Sequence, residues 1–315
     1  MSRYLITGAT TAIGEAVIRA LLAQEGTASI LAVGVEAVRP TSVEIDGRVR
    51  YVRLDLTRER NLRHLMFGPV REHATEVVID MASHRGVGAS GPRARALNVL
   101  ATRSLLALSE EHPTIRRFVY RGFGEVYAID SSLPSRIDEA QPLDLSPGAP
   151  QWVRDRVEAD LTVCTRFGMS PLSIAVVRAA ECLAPRAGSQ LHDYLSSDVC
   201  YRPLGYDPVI NLVSIEDLGR ALALAAGASA QGIFNIPGAT TLPLSEIIRR
   251  SGRRQIPVPG PLMTPLYALR RAARGTDFDY AINRGRLHHG AVLDGARART
   301  ILGYAPEMPV PFPID

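Results

Sequence analysis

Two glycines near the start of the chain have the spacing of a phosphate-binding turn. Gly8 and Gly14 belong to the segment TGATTAIG, which lies between a short apolar strand and a helix. Glycine permits a tight turn at the first position, and at the second it lets the helix pack closely against the strand. Because the N–H groups at the start of the helix attract phosphate, we predict a dinucleotide site here. Its other members are Thr10, Thr11, Ala12 and Ile13.

The elements that would position this turn alternate between strands and helices. Short apolar runs such as Arg3–Thr7 and Glu76–Met81 are typical of buried strands, and helical stretches separate them. This alternation predicts an α/β fold, namely a Rossmann-type doubly wound parallel sheet with a smaller C-terminal α/β lobe. We expect residues 1–177 to form the dinucleotide-binding domain, with residues 208–230 packing back on it. Residues 178–315 are expected to form the smaller substrate-binding lobe.

Further motifs follow in order along the chain. They are Asp55–Leu56, Met81–Ala82, Asn98 in NVLATRSLL, Glu125–Val126–Tyr127, VSIEDLGRA at Val213–Ala221 and GIFNIPG at Gly232–Gly238. As a set they resemble the extended short-chain dehydrogenases/reductases of the NAD-dependent epimerase/dehydratase family, in particular a bacterial subgroup labelled UDP-glucose 4-epimerase-like. The resemblance covers nearly the whole chain. It implies cofactor contacts for Asp55, Leu56, Met81, Ala82 and Asn98.

Two positions of the predicted cofactor site depart from the family pattern. Thr11 replaces the middle glycine of the TGxxGxxG loop, so a β-branched side chain narrows the approach of the pyrophosphate. Gly34 stands where an acid at the end of the second strand binds the adenosine ribose and repels a 2′-phosphate. Arg39 can pair with such a phosphate, whereas Glu36 offers an alternative ribose ligand. We expect the cofactor to be NAD(P)(H), with NADP(H) favoured.

The family's catalytic tyrosine, lysine and serine or threonine are all replaced. In PQWVRDRVEADL, Trp152 falls on the tyrosine and Arg156 on the lysine, while Phe123 or Gly124 takes the hydroxyl position. The whole chain contains no lysine. Arg156 can still bind the nicotinamide ribose, but a guanidinium does not cycle protons in proteins. Because a missing general acid costs about 10²–10⁴ in rate, we expect turnover by the family mechanism to be slow.

Other side chains can supply the missing proton. Glu125 and Tyr127 follow the fifth strand, at the carboxyl edge of the sheet where such sites form. His84 lies in the loop after the fourth strand, and Asp155 lies on the altered helix. We treat all four as candidate catalytic residues. Structural roles for Glu125 and Tyr127, and solvent exposure for His84 and Asp155, are the competing interpretations.

The substrate pocket is predicted from the side chains that replace the catalytic groups. Phe123 and Trp152 add apolar surface, which favours an apolar or mixed small molecule over a nucleotide sugar. A negatively charged group on the substrate is also compatible with the sequence, because arginines are present at positions 178, 186 and 202. Of these, Arg178 is the predicted pocket residue.

Composition narrows the classes of partner. The formal net charge is only +4, and the arginines are interspersed with acids, so we expect no nucleic-acid partner. Three cysteines, Cys164, Cys182 and Cys200, lack metal-ligand spacing, so no metal site is expected. No apolar run approaches the roughly 20 residues of a membrane span. We expect a cytoplasmic protein, and the sequence is compatible with a homodimer.

Three functions are compatible with these features. The first is an NAD(P)(H)-binding oxidoreductase or epimerase-like enzyme that works without the tyrosine–lysine pair, because hydride transfer depends mainly on position and orientation. The second is a non-redox cyclase, lyase or isomerase on the same fold. The third is a catalytically silent dinucleotide sensor or partner-binding protein. Fold alone does not choose among them.

Overall fold

The computed structural model describes residues 1–37, 46–84, 90–185, 187–227, 230–274 and 278–314. The strands are β1 Ser2–Thr7, β2 Thr27–Gly34, β3 Val49–Arg53, β4 Val77–Asp80, β5 Arg117–Phe123, β6 Arg136–Ile137, β7 Ser173–Ala179, β8 Val199–Pro203, β9 Val209–Leu212, β10 Gly232–Ile236, β11 Thr240–Pro243, β12 Arg254–Val258 and β13 Val292–Leu293. The α-helices are α1 Ala12–Leu22, α2 Glu59–Leu65, α3 Pro92–Arg95, α4 Thr102–Glu110, α5 Gln151–Cys164, α6 Gln190–Leu195, α7 Ile215–Gly227, α8 Leu244–Arg250, α9 Gly260–Arg274, α10 Tyr280–His289 and α11 Ala296–Leu302. Single π-helical turns extend α2 (Met66–Val70) and join α3 to α4 (Ala96–Ala101).

Seven strands form one parallel sheet in the order β10–β7–β5–β4–β1–β2–β3. Neighbouring strand residues such as Leu5 and Ile6 pack into two different apolar cores, because successive side chains point to opposite faces of a sheet. Helices α1 and α7 cover one face, and α2, α4 and α5 cover the other. The predicted doubly wound Rossmann sheet is confirmed.

The second half of the chain contributes to both parts of the molecule. Helix α7 packs against α1, where a Cβ on Gly219 would lie 2.7 Å from the Ala16 Cβ, and strand β10 completes the sheet beside β7. The remaining elements form a separate core of aromatic and aliphatic side chains around Tyr194, Tyr267 and Phe278. The domain boundary predicted at residue 177 falls inside β7.

A buried carboxylate joins the ends of the two central strands. Asp80 accepts hydrogen bonds from the hydroxyls of Thr7 at 2.7 Å and Thr102 at 2.8 Å. The Thr7 hydroxyl in turn accepts the N–H groups of Met81 at 2.9 Å and Ala82 at 3.0 Å. Burial raises the pKa of Asp80, and the two hydroxyl donors oppose that shift. This network fixes the loop after β4 against the glycine turn after β1.

We predict that Thr7→Val lowers the free energy of unfolding by about 2–3 kcal/mol, because it leaves one carboxylate oxygen and two N–H groups without their partner. Urea denaturation measures the change. Thr300→Val is the matched control, since its exposed hydroxyl bonds only to Ala296 O, and it should stay within about 0.5 kcal/mol of the parent. Equal losses in the two variants would contradict the role of Thr7.

Candidate functional site

A cleft of about 350 Å³ lies at the carboxyl ends of β1, β2 and β4. This is the edge of a parallel sheet at which nucleotide sites form. Most of the predicted cofactor residues line it: Gly8, Thr10, Thr11, Ile13, Gly34, Asp55, Leu56, Met81 and Ala82. Ala12 opens helix α1, and Asn98 and Arg156 line an adjoining cavity. Arg39 lies outside the described residues.

The glycine turn has the geometry that a phosphate cradle needs. Gly8 has a φ of +67°, and a Cβ there would lie 3.2 Å from the carbonyl group of Met81. A Cβ on Gly14 would lie 2.6 Å from Gly8 O, so the helix and the strand meet closely. The Thr11 hydroxyl donates to Gly8 O and accepts from Gly14 N, both at 2.9 Å. Thr11 therefore caps α1 and closes the turn on itself.

The end of β2 presents an acid to the cleft. A Cβ on Gly34 would lie 2.8 Å from Thr10 Cγ2 and 2.9 Å from the Tyr51 hydroxyl, so a larger residue there would displace both side chains. Glu36 lines the cleft two residues later, and its carboxylate accepts a hydrogen bond from the Thr10 hydroxyl. Its backbone carbonyl accepts from the Tyr51 hydroxyl at 2.7 Å. The carboxylate absent at position 34 is thus supplied from position 36.

The opposite wall of the cleft carries a second acid. Asp55 accepts hydrogen bonds from Thr57 N at 3.0 Å and from the Thr57 hydroxyl at 2.6 Å. The hydroxyl bond, with smaller contributions from nearby arginines, lowers the pKa of Asp55. Asp55 therefore offers an ionised acceptor beside the buried side chain of Leu56.

The inner end of the cleft narrows to a cavity of about 20 Å³, little more than the room for one water molecule. Its walls include the predicted residues His84, Asn98, Phe123, Trp152 and Arg156. The Arg156 guanidinium carbon lies 3.7 Å from the Phe123 ring centroid and 4.8 Å from that of Trp152. These aromatic side chains therefore pack on a buried cation.

Arg156, at the position of the family lysine, is held on two sides. Its Nη1 lies 3.1 Å from Glu125 Oε1, and its Nη2 donates to Gly188 O at 2.7 Å. The side chains of Arg156 and Glu125 are both more than nine-tenths buried. The pair links α5 to the turn after β5, with Arg156 lining the inner cavity and Glu125 lining the next one.

The next cavity, of about 60 Å³, is lined by two carboxyl groups that are not part of the family's tyrosine–lysine motif. Glu125 and Glu181 line it together with Arg286 from α10. Glu181 accepts from the Ser189 hydroxyl at 2.5 Å, and Arg286 Nη1 lies 3.5 Å from its Oε1. Burial and then the negative charge of Glu125 raise the pKa of Glu181 to about 7. Such a carboxyl can both donate and accept a proton near neutral pH.

Sequence reasoning nominated Glu125 but missed Glu181. A usable signal exists, because Glu181 follows the end of β7 by two residues and so lies at the same sheet edge as Glu125. The rest of this cavity is mainly apolar and is lined by Ile129, Leu191, Phe278, Leu287 and Leu293.

Tyr127 does not face these cavities. It is 2% exposed, its hydroxyl donates to Asn235 Oδ1 at 2.6 Å, and burial raises its pKa to about 12. Arg178, predicted to line the substrate pocket, lies over the Tyr127 ring and donates from Nε to Asp160 Oδ2 at 2.9 Å. Its charge is satisfied inside the domain, and it lines none of the three cavities described above. Arg186 lies outside the described residues.

The two other candidate acids have different surroundings. Asp155 is 1% exposed, and its carboxylate lies 3.4 Å from Arg95 Nη1 and 3.5 Å from Asn98 Nδ2, so it joins α5 to the neighbouring helical turn. His84 lines both the cleft and the inner cavity, and its backbone N–H donates to Asn98 Oδ1 at 2.7 Å. Of these two residues, His84 is the one that reaches the site.

The described residues lack two further kinds of feature, a metal-binding cluster and a membrane-spanning helix. Within them, no cluster of three or more histidine, cysteine, aspartate or glutamate side chains is arranged to hold a metal ion. No helix in the same part of the chain combines the length and the apolar character needed to cross a membrane.

Comparisons with known proteins agree with this architecture. An uncharacterized protein of Mycobacterium tuberculosis is 30% identical in an alignment of 313 residues that covers 96% of this chain and 80% of the relative. The solved UDP-glucuronic acid 4-epimerase of Bacillus cereus, in complex with UDP-glucuronic acid and NAD, has a TM-score of 0.70 at 17% identity and covers 98% of this chain and 95% of its own. The dTDP-glucose 4,6-dehydratase of Bacillus anthracis, in complex with NAD, has a TM-score of 0.69 at 16% identity, covering 98% and 92%. At these identities the solved structures show the fold. Residues 4–152 match the NAD dependent epimerase/dehydratase family, and the chain belongs to that family.

Proposed function

We propose that this chain is an NAD(H)-dependent oxidoreductase or epimerase-like enzyme that uses the Glu125–Glu181 pair in place of the tyrosine–lysine pair. The observation that carries the proposal is Glu181, a carboxyl with a pKa raised to about 7 in a mainly apolar cavity beside the nucleotide cleft. A bound dinucleotide would supply or accept a hydride. The chain's own residues would then handle the accompanying proton.

The turn at Gly8–Gly14 and its surroundings fit a dinucleotide. The cradle formed by Gly8 against Met81 leaves no space for a side chain, and the adjoining cleft is large enough for a nucleotide. The N–H groups of α1 would bind the pyrophosphate, and Asp55 would accept from the adenine. The similar solved structures that contain NAD support the same cofactor class.

The position of Glu36 favours NAD over NADP. Its carboxylate lines the cleft where a 2′-phosphate would bring a second negative charge. The sequence-based preference for NADP depended on the missing acid at Gly34 and on Arg39, and Arg39 lies outside the described residues. We therefore propose NAD(H) as the cofactor, with Glu36 accepting from the adenosine ribose.

Proton transfer follows from the environment of Glu181. In a reduction, its carboxyl proton would pass to the substrate carbonyl oxygen while hydride adds to the carbonyl carbon, which yields an alcohol. In the reverse direction the carboxylate would take the hydroxyl proton. Ser189 and Arg286 orient the group, and burial together with the nearby charge of Glu125 raises its pKa to about 7. The apolar walls fit a small apolar or mixed substrate.

A second function is favoured by one specific observation. Arg121, Phe123, Trp152 and Arg156 leave only about 20 Å³ at the inner end of the cleft. A protein that binds the adenosine half of a dinucleotide and performs no chemistry would tolerate such a filled corner. A dinucleotide sensor is therefore the alternative, and turnover distinguishes it from the enzyme.

We predict that the chain binds NAD(H) and that Gly8→Val weakens binding at least about tenfold, because valine rarely adopts a positive φ and would contact Met81. Calorimetric titration measures the affinity. Gly26→Val is the control, since a Cβ at that exposed glycine meets nothing within 4 Å. If Gly8→Val binds NAD(H) as well as the control does, the turn is not the phosphate site.

We expect Glu36→Gln to raise NADP affinity relative to NAD by about tenfold, because it removes the charge that repels the 2′-phosphate. The ratio of the two dissociation constants is the measurement. Glu59→Gln removes a carboxylate from the exposed surface of α2 and should leave the ratio unchanged. If the ratio of the two dissociation constants is the same in Glu36→Gln as in the parent, Glu36 does not contact the adenosine ribose.

We predict that Glu181→Gln lowers the rate of carbonyl reduction with NADH at least about 10², since it removes the proton donor. The parent rate should fall as pH rises through about 7, because the acid must be protonated to donate. Tyr127→Phe is the control and should stay within about threefold, because its hydroxyl donates to Asn235 and the residue lines none of the three cavities. NADH oxidation across a panel of aldehydes and ketones provides the assay. No turnover by the parent with any of them would favour the sensor.

The titration of Glu181 also has a readout that needs no substrate. Its pKa is raised in the folded chain, so its contribution to stability is fully present below its ordinary value of 4.5 and is lost as pH rises through about 7. Glu181→Gln should therefore lose less stability than the parent across this pH range, as measured by urea denaturation. Matching pH profiles in the parent and the variant would exclude the raised pKa.

A further inference from the structure

Arg121 is a buried cation that has no ion-pair partner in the described part of the chain. It is 7% exposed, lines both the nucleotide cleft and the inner cavity, and donates from Nη2 to Ala187 O at 3.0 Å. Among the described residues, no carboxylate forms an ion pair with it, and its buried Nε has no hydrogen-bond partner. Burial lowers the pKa of Arg121 to about 10. An uncompensated buried charge is costly, so a missing partner is expected.

Another arginine on the same strand shows what a purely structural role requires. Arg117 is also buried, and its side chain donates to Ala225 O at 2.7 Å, Ala230 O at 2.8 Å and the Ser173 hydroxyl at 2.6 Å. These three bonds use the donor groups of Arg117 within the chain. Arg121 makes one such bond among the described residues, its buried Nε has no partner there, and the residue lines the inner cavity.

A second guanidinium lies beside Arg121. The two arginines donate to consecutive carbonyls, Arg121 to Ala187 O and Arg156 to Gly188 O. Both guanidinium carbons also lie against the ring of Phe123, at 4.4 and 3.7 Å from its centroid. The shared partners bring two positive charges to one wall of the same small cavity.

The charge balance of the inner cavity and the next one, taken together, is positive. Arg121 and Arg156 line the inner cavity, whereas Glu125, Glu181 and Arg286 line the next one, and the pKa of Glu181 is raised to about 7. Near neutral pH this group of five therefore has an excess of positive charge. An anionic group on the ligand would balance it.

We propose that Arg121 and Arg156 bind the carboxylate or phosphate group of a small anionic substrate at the inner end of the nucleotide cleft. The assignment of this anion to a substrate rests on the proposed function, whereas the binding site itself does not. The cavity of about 20 Å³ has room for about one oxygen atom of the head group, and its other atoms would lie in the adjoining cleft, which Arg121 also lines. The Glu125–Arg156 pair adjoins the mainly apolar cavity, which would receive the rest of the molecule.

The test titrates inorganic phosphate and acetate into the full-length chain by calorimetry, with saturating ADP present to occupy the glycine turn. We expect the parent to bind at least one of the two ions, and Arg121→Met to bind it at least about tenfold more weakly. Arg121→Lys keeps the charge and should stay closer to the parent than Arg121→Met. Arg154→Gln, on the exposed side of α5, removes one charge away from the cavity and should change nothing.

Folding of the variant is checked in anion-free buffer. Arg121→Met should unfold at the same urea concentration as the parent or at a higher one, because it removes an unpaired buried charge. If Arg121→Met does not fold, Arg121→Gln replaces it in the titration.

Two outcomes would overturn the proposal. In the first, the parent protein binds neither phosphate nor acetate at about 10 mM. In the second, Arg121→Met or Arg121→Gln binds the ion with the same affinity as the parent. Phosphate binding at the glycine turn would not contribute to the titration, because saturating ADP occupies that turn. Neither outcome involves NAD(H) or turnover, so failure here is distinct from failure of the proposed enzyme activity.

Discussion

The hydrogen bonds between Asp80, Thr7 and Thr102 hold the working edge of the sheet together. One carboxylate receives two hydroxyls, and the Thr7 hydroxyl receives the N–H groups of Met81 and Ala82. The loop after β4 therefore lies against Gly8, whose φ of +67° favours glycine and where a Cβ would lie 3.2 Å from the Met81 carbonyl group. The glycine turn, the cleft floor and the start of the inner cavity all take their positions from this buried contact.

The replacement of the family lysine by Arg156 redistributes the acid–base chemistry. A guanidinium does not exchange its proton, but it pairs with Glu125, and the charge of Glu125 contributes to the raised pKa of Glu181. The three residues lie on α5, after β5 and after β7, at one edge of the sheet. Under the proposed function, this change of one cation accompanies a transfer of the proton-handling role from a helix to the ends of two strands.

The sequence was sufficient for the features that depend on local pattern. The strand–turn–helix around Gly8 and Gly14 and the apolar strands predict the parallel sheet, because period and glycine spacing are local properties. Glu181 looks like any other acid in the sequence, since its pKa depends on burial and on Glu125, which is 56 positions earlier. Arg178 and Arg121 are likewise indistinguishable in the sequence. In the structure Asp160 neutralises Arg178, whereas the Nε of Arg121 has no partner among the described residues. Contacts between distant segments decide such roles.

The order in which the site residues occur along the chain has a consequence for biosynthesis. All residues that line the nucleotide cleft lie among the first 121 positions, whereas the cavity of Glu125 and Glu181 also needs Arg286, Leu287 and Leu293. Chains emerge from the ribosome N-terminus first, and folding tends to follow that order. The walls of the nucleotide cleft are thus synthesised well before α10 closes the acid pair, so a nascent chain would possess the parts to hold a nucleotide before it could act on one.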